Sequence, residues 1–354
     1  MKDVNNEITL LERATGCLLA GAAGDALGAP VEFMDRPDIL RRFGPAGVTE
    51  YVPAHGGIGR ITDDTQMTLF TAEGCLRARH NVCTLGEDDG IACIRRAYLR
   101  WLLTQTAGEP VRPETTDSWL LQQPALFARR APGTTCVSAL SREGAERNNS
   151  KGCGGVMRVA PCGILHANEP LQAFQLGSAS ARLTHGHPTG YLAAGVFAAV
   201  IAGLVAGQPL ARAVDAARRI LVGCQDHQET LQAMNTAIRM VAHGELPHRA
   251  IPVLGEGWVA DEALSIALYC AFMADSLEAG VIMAVNITGD SDSTGAMTGN
   301  LLGALYGVAA IPQRWLADLE LRDVIETTAG DLMAMPSIGH RAGKEDWLVR
   351  YPAR

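Results

Sequence analysis

Apolar residues recur three and four positions apart in nine stretches of the chain: Leu10 to Leu27, Asp64 to Arg79, Gly90 to Leu103, Leu171 to Leu183, Gly190 to Val205, Leu210 to Cys224, Glu229 to Val241, Ala260 to Val285 and Ser293 to Val308. That spacing lines one face of a 3.6-residue helix, so each stretch is expected to be helical. Strand-like alternation is scarce. Gly- and Pro-punctuated segments at Arg41 to Arg60, Gly108 to Pro113, Ala131 to Gly155 and Leu246 to Gly257 are expected to be loops. The pattern predicts an all-α, compact single-domain globule with its functional residues on loops and helix ends. No composition shift or low-complexity linker divides the chain. The domain is therefore expected to span residues 10–335, with residues 336–354 as a C-terminal tail packing on it or extending from it.

Two details refine this picture. Gly295, Gly299 and Gly303 recur every four residues, which makes a smooth helix face for the close approach of a neighbouring helix. Gly190 to Gly207 is apolar enough to suggest a membrane span, but it is slightly short, rich in Ala and Gly, and flanked by His187 and Gln208 rather than basic anchors. It reads as a buried core helix.

Composition narrows the function classes. Of 354 residues, 47% are apolar and 19% charged, which fits a large packed core and excludes a disordered chain. A net charge of −8 without any Lys/Arg run argues against an extended nucleic-acid surface, which needs clustered cations. The nine cysteines are odd in number, form no C-x-x-C pair and mostly lie in apolar segments, so buried thiols of a reducing cytoplasm are expected rather than disulfides or zinc. The polar, acidic start of the chain lacks the basic and apolar regions of a secretory signal. A cytoplasmic protein without a membrane partner is expected, with a monomer favoured.

The candidate chemistry lies in two acidic clusters, Thr62-Asp63-Asp64-Thr65 and Asp290-Ser291-Asp292-Ser293-Thr294. Each sits where a glycine-containing turn feeds a helix. Asp and Thr at such places can simply cap exposed N–H groups. One cap explains one Asp, however, and two adjacent carboxylates roughly 4 Å apart repel by about 4 kcal/mol at an effective dielectric of 20. A cation removes that repulsion. The all-oxygen set of carboxylates and hydroxyls suits a hard divalent ion such as Mg²⁺ or Mn²⁺, and two ions about 3.5–4 Å apart are a common tool of hydrolases.

Together with Gly16-Cys17-Leu18-Leu19-Ala20-Gly21-Ala22-Ala23-Gly24-Asp25-Ala26-Leu27-Gly28-Ala29-Pro30-Val31-Glu32-Phe33, these motifs make the chain resemble the ADP-ribosylglycohydrolase family, from this segment through both clusters to Ala309. The resemblance implies a compact all-α fold with a binuclear Mg²⁺ centre, Mn²⁺ being the alternative, at the floor of an ADP-ribose cleft. The implied metal ligands are Thr62, Asp63, Asp64, Asp290, Asp292 and Ser293. Glu32, Asp63 and Asp292 are the implied catalytic residues, with Glu32 at the mouth of the cleft. The family's glycine loop matches Asn148 to Arg158, so Ser150, Gly152, Gly154 and Gly155 are expected near the diphosphate and distal ribose. His185, in Thr184-His185-Gly186-His187-Pro188, is expected at the same substrate. Two positions depart from the family's usual residue: Ser293 stands where Thr is common, and Cys153 where Asn is common. Asp25 is expected to support neighbouring residues rather than to catalyse.

The resemblance implies hydrolysis of the C1″ bond of an ADP-ribosylated protein side chain, with arginine first among the candidates. Serine-linked or O-acetyl-ADP-ribose substrates, and a non-catalytic ADP-ribose reader or structural protein on the same scaffold, remain alternatives. All-α isoprenoid synthases also hold Mg²⁺ with Asp-rich motifs. They need an aromatic-lined cavity, and only 5% of this chain is aromatic.

Overall fold

A computed structural model of the chain describes residues 8–86, 89–105, 117–142, 147–334 and 347–353. Its helices are α1 (Leu10–Gly28), α2 (Arg36–Phe43), α3 (Asp63–Leu85), α4 (Gly90–Gln105), α5 (Thr134–Ser141), α6 (Ala160–Leu165), α7 (Pro170–Arg182), α8 (Pro188–Val205) and α9 (Leu210–Val222). They are followed by α10 (Gln228–Ala242), α11 (Pro247–Leu254), α12 (Ala260–Met273), α13 (Leu277–Val285), α14 (Ser291–Tyr306), α15 (Gln313–Asp318), α16 (Arg322–Met333) and α17 (Trp347–Arg350). Among the described residues there is no β-strand, only isolated bridges between Ala54 and Gly57 and between Gly152 and Val259. The fold is all-α, as the periodicity predicts.

All nine periodic stretches are helical, with two adjustments. α3 runs on to Leu85 and ends at Gly86, whose left-handed φ of 70° closes the helix. The long stretch Ala260 to Val285 is two helices, broken at Ala274 to Ser276. There the Ser276 side chain accepts a hydrogen bond from Ala279 N at 3.1 Å and starts α13 afresh. The expected loops hold more helix than their punctuation suggests. Ala131 to Gly155 contains α5, Leu246 to Gly257 contains α11, and α2 reaches into Arg41 to Arg60. Pro247 opens α11 as an N-terminal proline can, so proline there starts a helix rather than forbidding one. Gly108 to Pro113 lies outside the described residues.

The core is centred on α8, which packs against α6, α7 and α9. It is the one described helix long and apolar enough to cross a membrane by length and composition, and 89% of it is buried inside the fold. From the tail, Trp347, Leu348 and Tyr351 pack into the same core.

The seam that positions the site joins α1 to α14. Gly295, Gly299 and Gly303 face α1, which answers with Gly16, Gly24 and Gly28. A Cβ at Gly295 would stand 2.6 Å from Gly24 O, one at Gly299 2.1 Å from Ala20 O, and one at Gly303 2.0 Å from Gly16 O. The two backbones touch directly. Asn300 locks the register by donating to Cys17 O at 2.8 Å. At the far end, a Cβ on Gly28 would lie 2.5 Å from the backbone of Asp292, so the end of α1 abuts the start of α14.

Candidate active site

Three short pieces of chain converge at that junction. Glu32 follows α1, Asp63 and Asp64 begin α3, and Asp290 and Asp292 begin α14. All five are buried, with Glu32 the most exposed at 8%. One carboxylate oxygen each from Glu32, Asp290 and Asp292 lies within 4.8 Å of the others. Two oxygens on opposite sides of a Mg²⁺ ion are about 4.2 Å apart, so this triad needs only a small movement to share one.

Both clusters are helix caps as well as candidate ligands. Thr62 Oγ1 accepts from Asp64 N at 3.3 Å, and Asp290 Oδ1 accepts from Ser293 N at 3.2 Å. The cap of α14 is Asp290, although Asp292 also accepts from Ser293 N, at 2.9 Å. The capping does not exhaust the oxygens. Thr62 Oγ1 gives its proton to Asp25 at 2.8 Å and keeps a lone pair. Asp64, close enough to hydrogen-bond the Ser293 side chain, holds its Oδ1 buried without any partner.

Electrostatics sharpen the point. Burial pushes Glu32 up to about 8, and Asp290 and Asp63 push it the same way. Burial likewise raises Asp63 to about 8, against a hydrogen bond from Gly133 N at 3.1 Å that favours the charged form. Asp64 and Asp292 are held well above the usual carboxylate range by burial first, then by neighbouring carboxylates. Asp290 is raised by burial too. The charges acting most strongly on this group are other carboxylates, its own members and Asp25. A buried, all-oxygen, mutually repelling set with an orphaned acceptor fits a hard divalent cation.

Asp25 holds the first cluster in place. Its carboxylate accepts from the backbone and hydroxyl of both Thr62 and Thr65, which fixes the first turn of α3 against α1. The supporting role expected for it stands on these contacts.

Opposite the carboxylates lies the turn Ser150 to Gly155. A Cβ at Gly152, Gly154 or Gly155 would stand 3.4, 3.3 or 3.2 Å from the His185 ring, so the turn and the imidazole are in contact. Ser150 Oγ accepts from Gly152 N at 3.3 Å and braces the turn. Cys153 carries the turn to the carboxylates: its Sγ donates to Asp290 Oδ2 at 2.7 Å.

A buried relay with no local sequence signature stands behind His185. Arg158 lies over Tyr98 with its guanidinium 4.2 Å from the ring centroid, and donates to Thr184 Oγ1 at 2.7 Å. Thr184 Oγ1 is in turn 2.8 Å from His185 Nδ1. The Thr184 hydroxyl, also 3.3 Å from Ala181 O, can give its proton to Nδ1, the arrangement that puts Nε2–H toward the glycine turn. Burial and Arg158 push His185 down to about 3, so the ring stays neutral. Gly133 N and Cys136, at the start of α5, were also not anticipated. They lie in a segment whose Gly and Pro content reads as loop.

At the rim, Phe33 stacks on Trp258 with ring centroids 5.7 Å apart and planes 16° from parallel. Phe33 is 77% exposed, an unusual cost for a large apolar ring. Two surface cavities, of about 1030 and 410 Å³, lie elsewhere, and neither is lined by the five carboxylates.

An all-α scaffold that gathers buried carboxylates at two helix starts beside a glycine turn defines a hydrolase built around a metal-compatible acidic centre. The chain belongs to the ADP-ribosylglycohydrolase family, whose sequence profile matches residues 6–340, and it is a hydrolytic enzyme of that family. It is 28% identical over 316 residues to the ADP-ribosyl-[dinitrogen reductase] glycohydrolase of Rhodospirillum rubrum, covering 88% of this chain and 91% of the relative. It is 25% identical to the ADP-ribosylarginine hydrolase Tri1 of Pseudomonas putida, covering 91% and 78%. A solved ADP-ribosylglycohydrolase-related protein complex superposes with a TM-score of 0.65 at 28% identity, covering 91% of this chain and 97% of that one.

Proposed function

We propose that this enzyme hydrolyses the bond between C1″ of the distal ribose of ADP-ribose and an arginine side chain of a modified protein, releasing ADP-ribose and restoring the arginine. The observation that carries the reading is the convergence of Glu32, Asp63, Asp64, Asp290 and Asp292, buried beside a glycine turn and a neutral His185. The names of the relatives from Rhodospirillum rubrum and Pseudomonas putida support the ADP-ribosyl and arginine parts.

Asp63, Asp64, Asp290 and Asp292, with the Thr62 and Ser293 hydroxyls, would hold two Mg²⁺ ions, and Mn²⁺ suits the same oxygens. Bound there, such ions supply positive charge that orients the ribose hydroxyls and acidifies the attacking water. The chain's own groups do the rest. Asp63 and Asp292 offset the positive charge that develops on the ribose as the C1″ bond breaks. Glu32, raised toward neutrality, holds a proton that it can hand to the departing guanidine nitrogen. Backbone N–H groups at Gly152, Gly154 and Gly155 suit diphosphate oxygens, and His185 Nε2–H adds a donor that does not titrate away. The flat Phe33–Trp258 pair next to Glu32 suits a guanidinium, which stacks on aromatic faces. Nine unpaired cysteines and the burial of α8 support work in the cytoplasm.

The test compares Mg²⁺-dependent ADP-ribose release from arginine-linked and serine-linked proteins, with Asp292→Ala as control. Faster release from arginine, abolished in the variant, is expected. Full activity in Asp292→Ala sinks the acidic-centre mechanism, and a serine preference overturns the arginine assignment. Tight ADP-ribose binding without turnover of either substrate makes the protein a reader.

A further inference from the structure

One wall of the acidic centre is made of sulfur. Cys153 Sγ lies 2.7 Å from Asp290 Oδ2. Ser293 Oγ lies 3.8 Å from Cys153 Sγ and 3.7 Å from the Met157 thioether. The thiol is fixed there by its own backbone, since Cys153 N donates to Trp258 O at 3.1 Å beside the Gly152–Val259 bridge. Independently, Asp64 reaches the same Ser293 side chain and leaves Oδ1 without a partner although the residue is only 3% exposed. An acceptor so placed, among carboxylates rather than guanidinium groups, suits a cation.

We propose that the centre has a soft edge, at which Cys153, Asp290 and Ser293 take a thiophilic divalent cation such as Zn²⁺ or Cd²⁺ in competition with Mg²⁺. The inference rests on the reading of this centre as a metal site. The spacing carries it. A tetrahedral ion with a metal–sulfur bond of 2.3 Å and a metal–oxygen bond of 2.0 Å sets sulfur and oxygen about 3.5 Å apart. The Cys153–Asp290 and Cys153–Ser293 separations, 2.7 and 3.8 Å, bracket that value. Thiolate selects zinc-like ions over magnesium, which prefers an octahedral shell of oxygens. On binding, Cys153 releases its proton to solvent, and the Asp290 oxygen that accepted the S–H becomes free to face the ion. Such an ion would displace the oxygen-only arrangement, so Zn²⁺ would inhibit where Mg²⁺ activates.

The test is a titration of the whole protein with Cd²⁺, following the ultraviolet thiolate-to-cadmium charge-transfer band, in the wild type, Cys153→Ser and Cys153→Asn. A band that is present in the wild type, suppressed by excess Mg²⁺ and lost in both variants is expected. Zn²⁺ affinity should fall by about 10-fold or more in the variants, while Mg²⁺ affinity, read from the rise in melting temperature, changes by less than about 3-fold. A band of equal strength in both variants, or none in the wild type, overturns the soft edge. If Mg²⁺ still raises the melting temperature in that case, the oxygen centre stands and only the role of Cys153 falls. If no divalent ion binds at all, both readings fall together.

Discussion

Helix α3 carries buried carboxylates at two places, and the protein treats them in opposite ways. Ten residues after Asp63, Glu73 is fully buried between two buried arginines, with Arg77 Nε 3.0 Å and Arg100 Nε 3.2 Å from Glu73 Oε1. At the helix start, Asp63 and Asp64 are equally buried, but what faces them is Asp25, Asp290 and Asp292. The same helix shows that this fold can supply guanidinium groups to an interior acid. Where it supplies more acids instead, burial and mutual repulsion hold the carboxyls well above their usual range. One region is held together by its charges, and the other is held together by backbone contacts in spite of them.

Single substitutions should break this contrast most strongly. Asp64→Ala or Asp292→Ala should lower hydrolysis by roughly 10³-fold, the loss of several kcal/mol of transition-state stabilisation. Yet in the absence of divalent ions either variant should melt no lower than the wild type, because the cost of burying an acid among other acids is gone. Glu73→Ala should do the reverse, costing about 3–5 kcal/mol of stability by taking from two buried guanidinium groups the carboxylate they share. Thermal melts with and without Mg²⁺ check both. A marked drop in the melting temperature of metal-free Asp64→Ala would place the two regions in one class.

The pH dependence of stability tests the contrast without mutation. Glu32 and Asp63 are raised to about 8 in the folded protein, far above unfolded values near 4. The folded state therefore binds more protons between those limits. Their stabilising contribution is complete below about pH 4 and is lost as the pH rises through 8. Metal-free protein should lose melting temperature across that window, and saturating Mg²⁺ should flatten the slope or reverse it. A metal-free melting temperature that rises steadily from pH 5 to 8 contradicts the raised carboxyls.

The smallest effect is expected behind His185. Thr184→Val removes the hydroxyl that sets the ring's tautomer while keeping its shape. Activity should fall by about 10- to 100-fold, as for other groups that orient a functional residue. Nitrogen NMR of the imidazole should show Nε2–H in the wild type, with no titration between pH 5 and 8, and a mixed tautomer in the variant. An unchanged ring signal would remove Thr184 from the relay.

Much of this was legible in the chain because it depends on local spacing. The helical periodicity fixes the long elements, and the four-residue recurrence of Gly295, Gly299 and Gly303 announces a close seam, though not that its partner is α1. Other features depend on what packs against a segment. α5, α6 and α11 are too short to declare a period, and tertiary contact stabilises them rather than propensity. The stop at Ala274 to Ser276 is a capping event inside an apolar run, which periodicity alone passes over. Arg158 shows the same limit at the site. Its sequence neighbours give no hint that it lies over Tyr98 and reaches Thr184, because one partner comes from α4 and the other from the turn after α7. The acidic clusters were readable for the opposite reason, since each concentrates its chemistry within four or five consecutive residues.

The seam between α1 and α14 bears on how such an enzyme can change. Main chain rests on main chain at Gly16, Gly24 and Gly28, and the Asn300 amide that reaches Cys17 O fills the space beside Gly21, so the seam has little room for a side chain to be lengthened. The distance between Glu32 and the start of α14 is thus measured in backbone thickness, and gradual substitution has little purchase on it. The rim differs: Phe33 and Trp258 are exposed and can be exchanged without disturbing that ruler. A lineage built this way can vary the aromatic pair at its rim while the arrangement of buried carboxylates passes unaltered from ancestor to descendant.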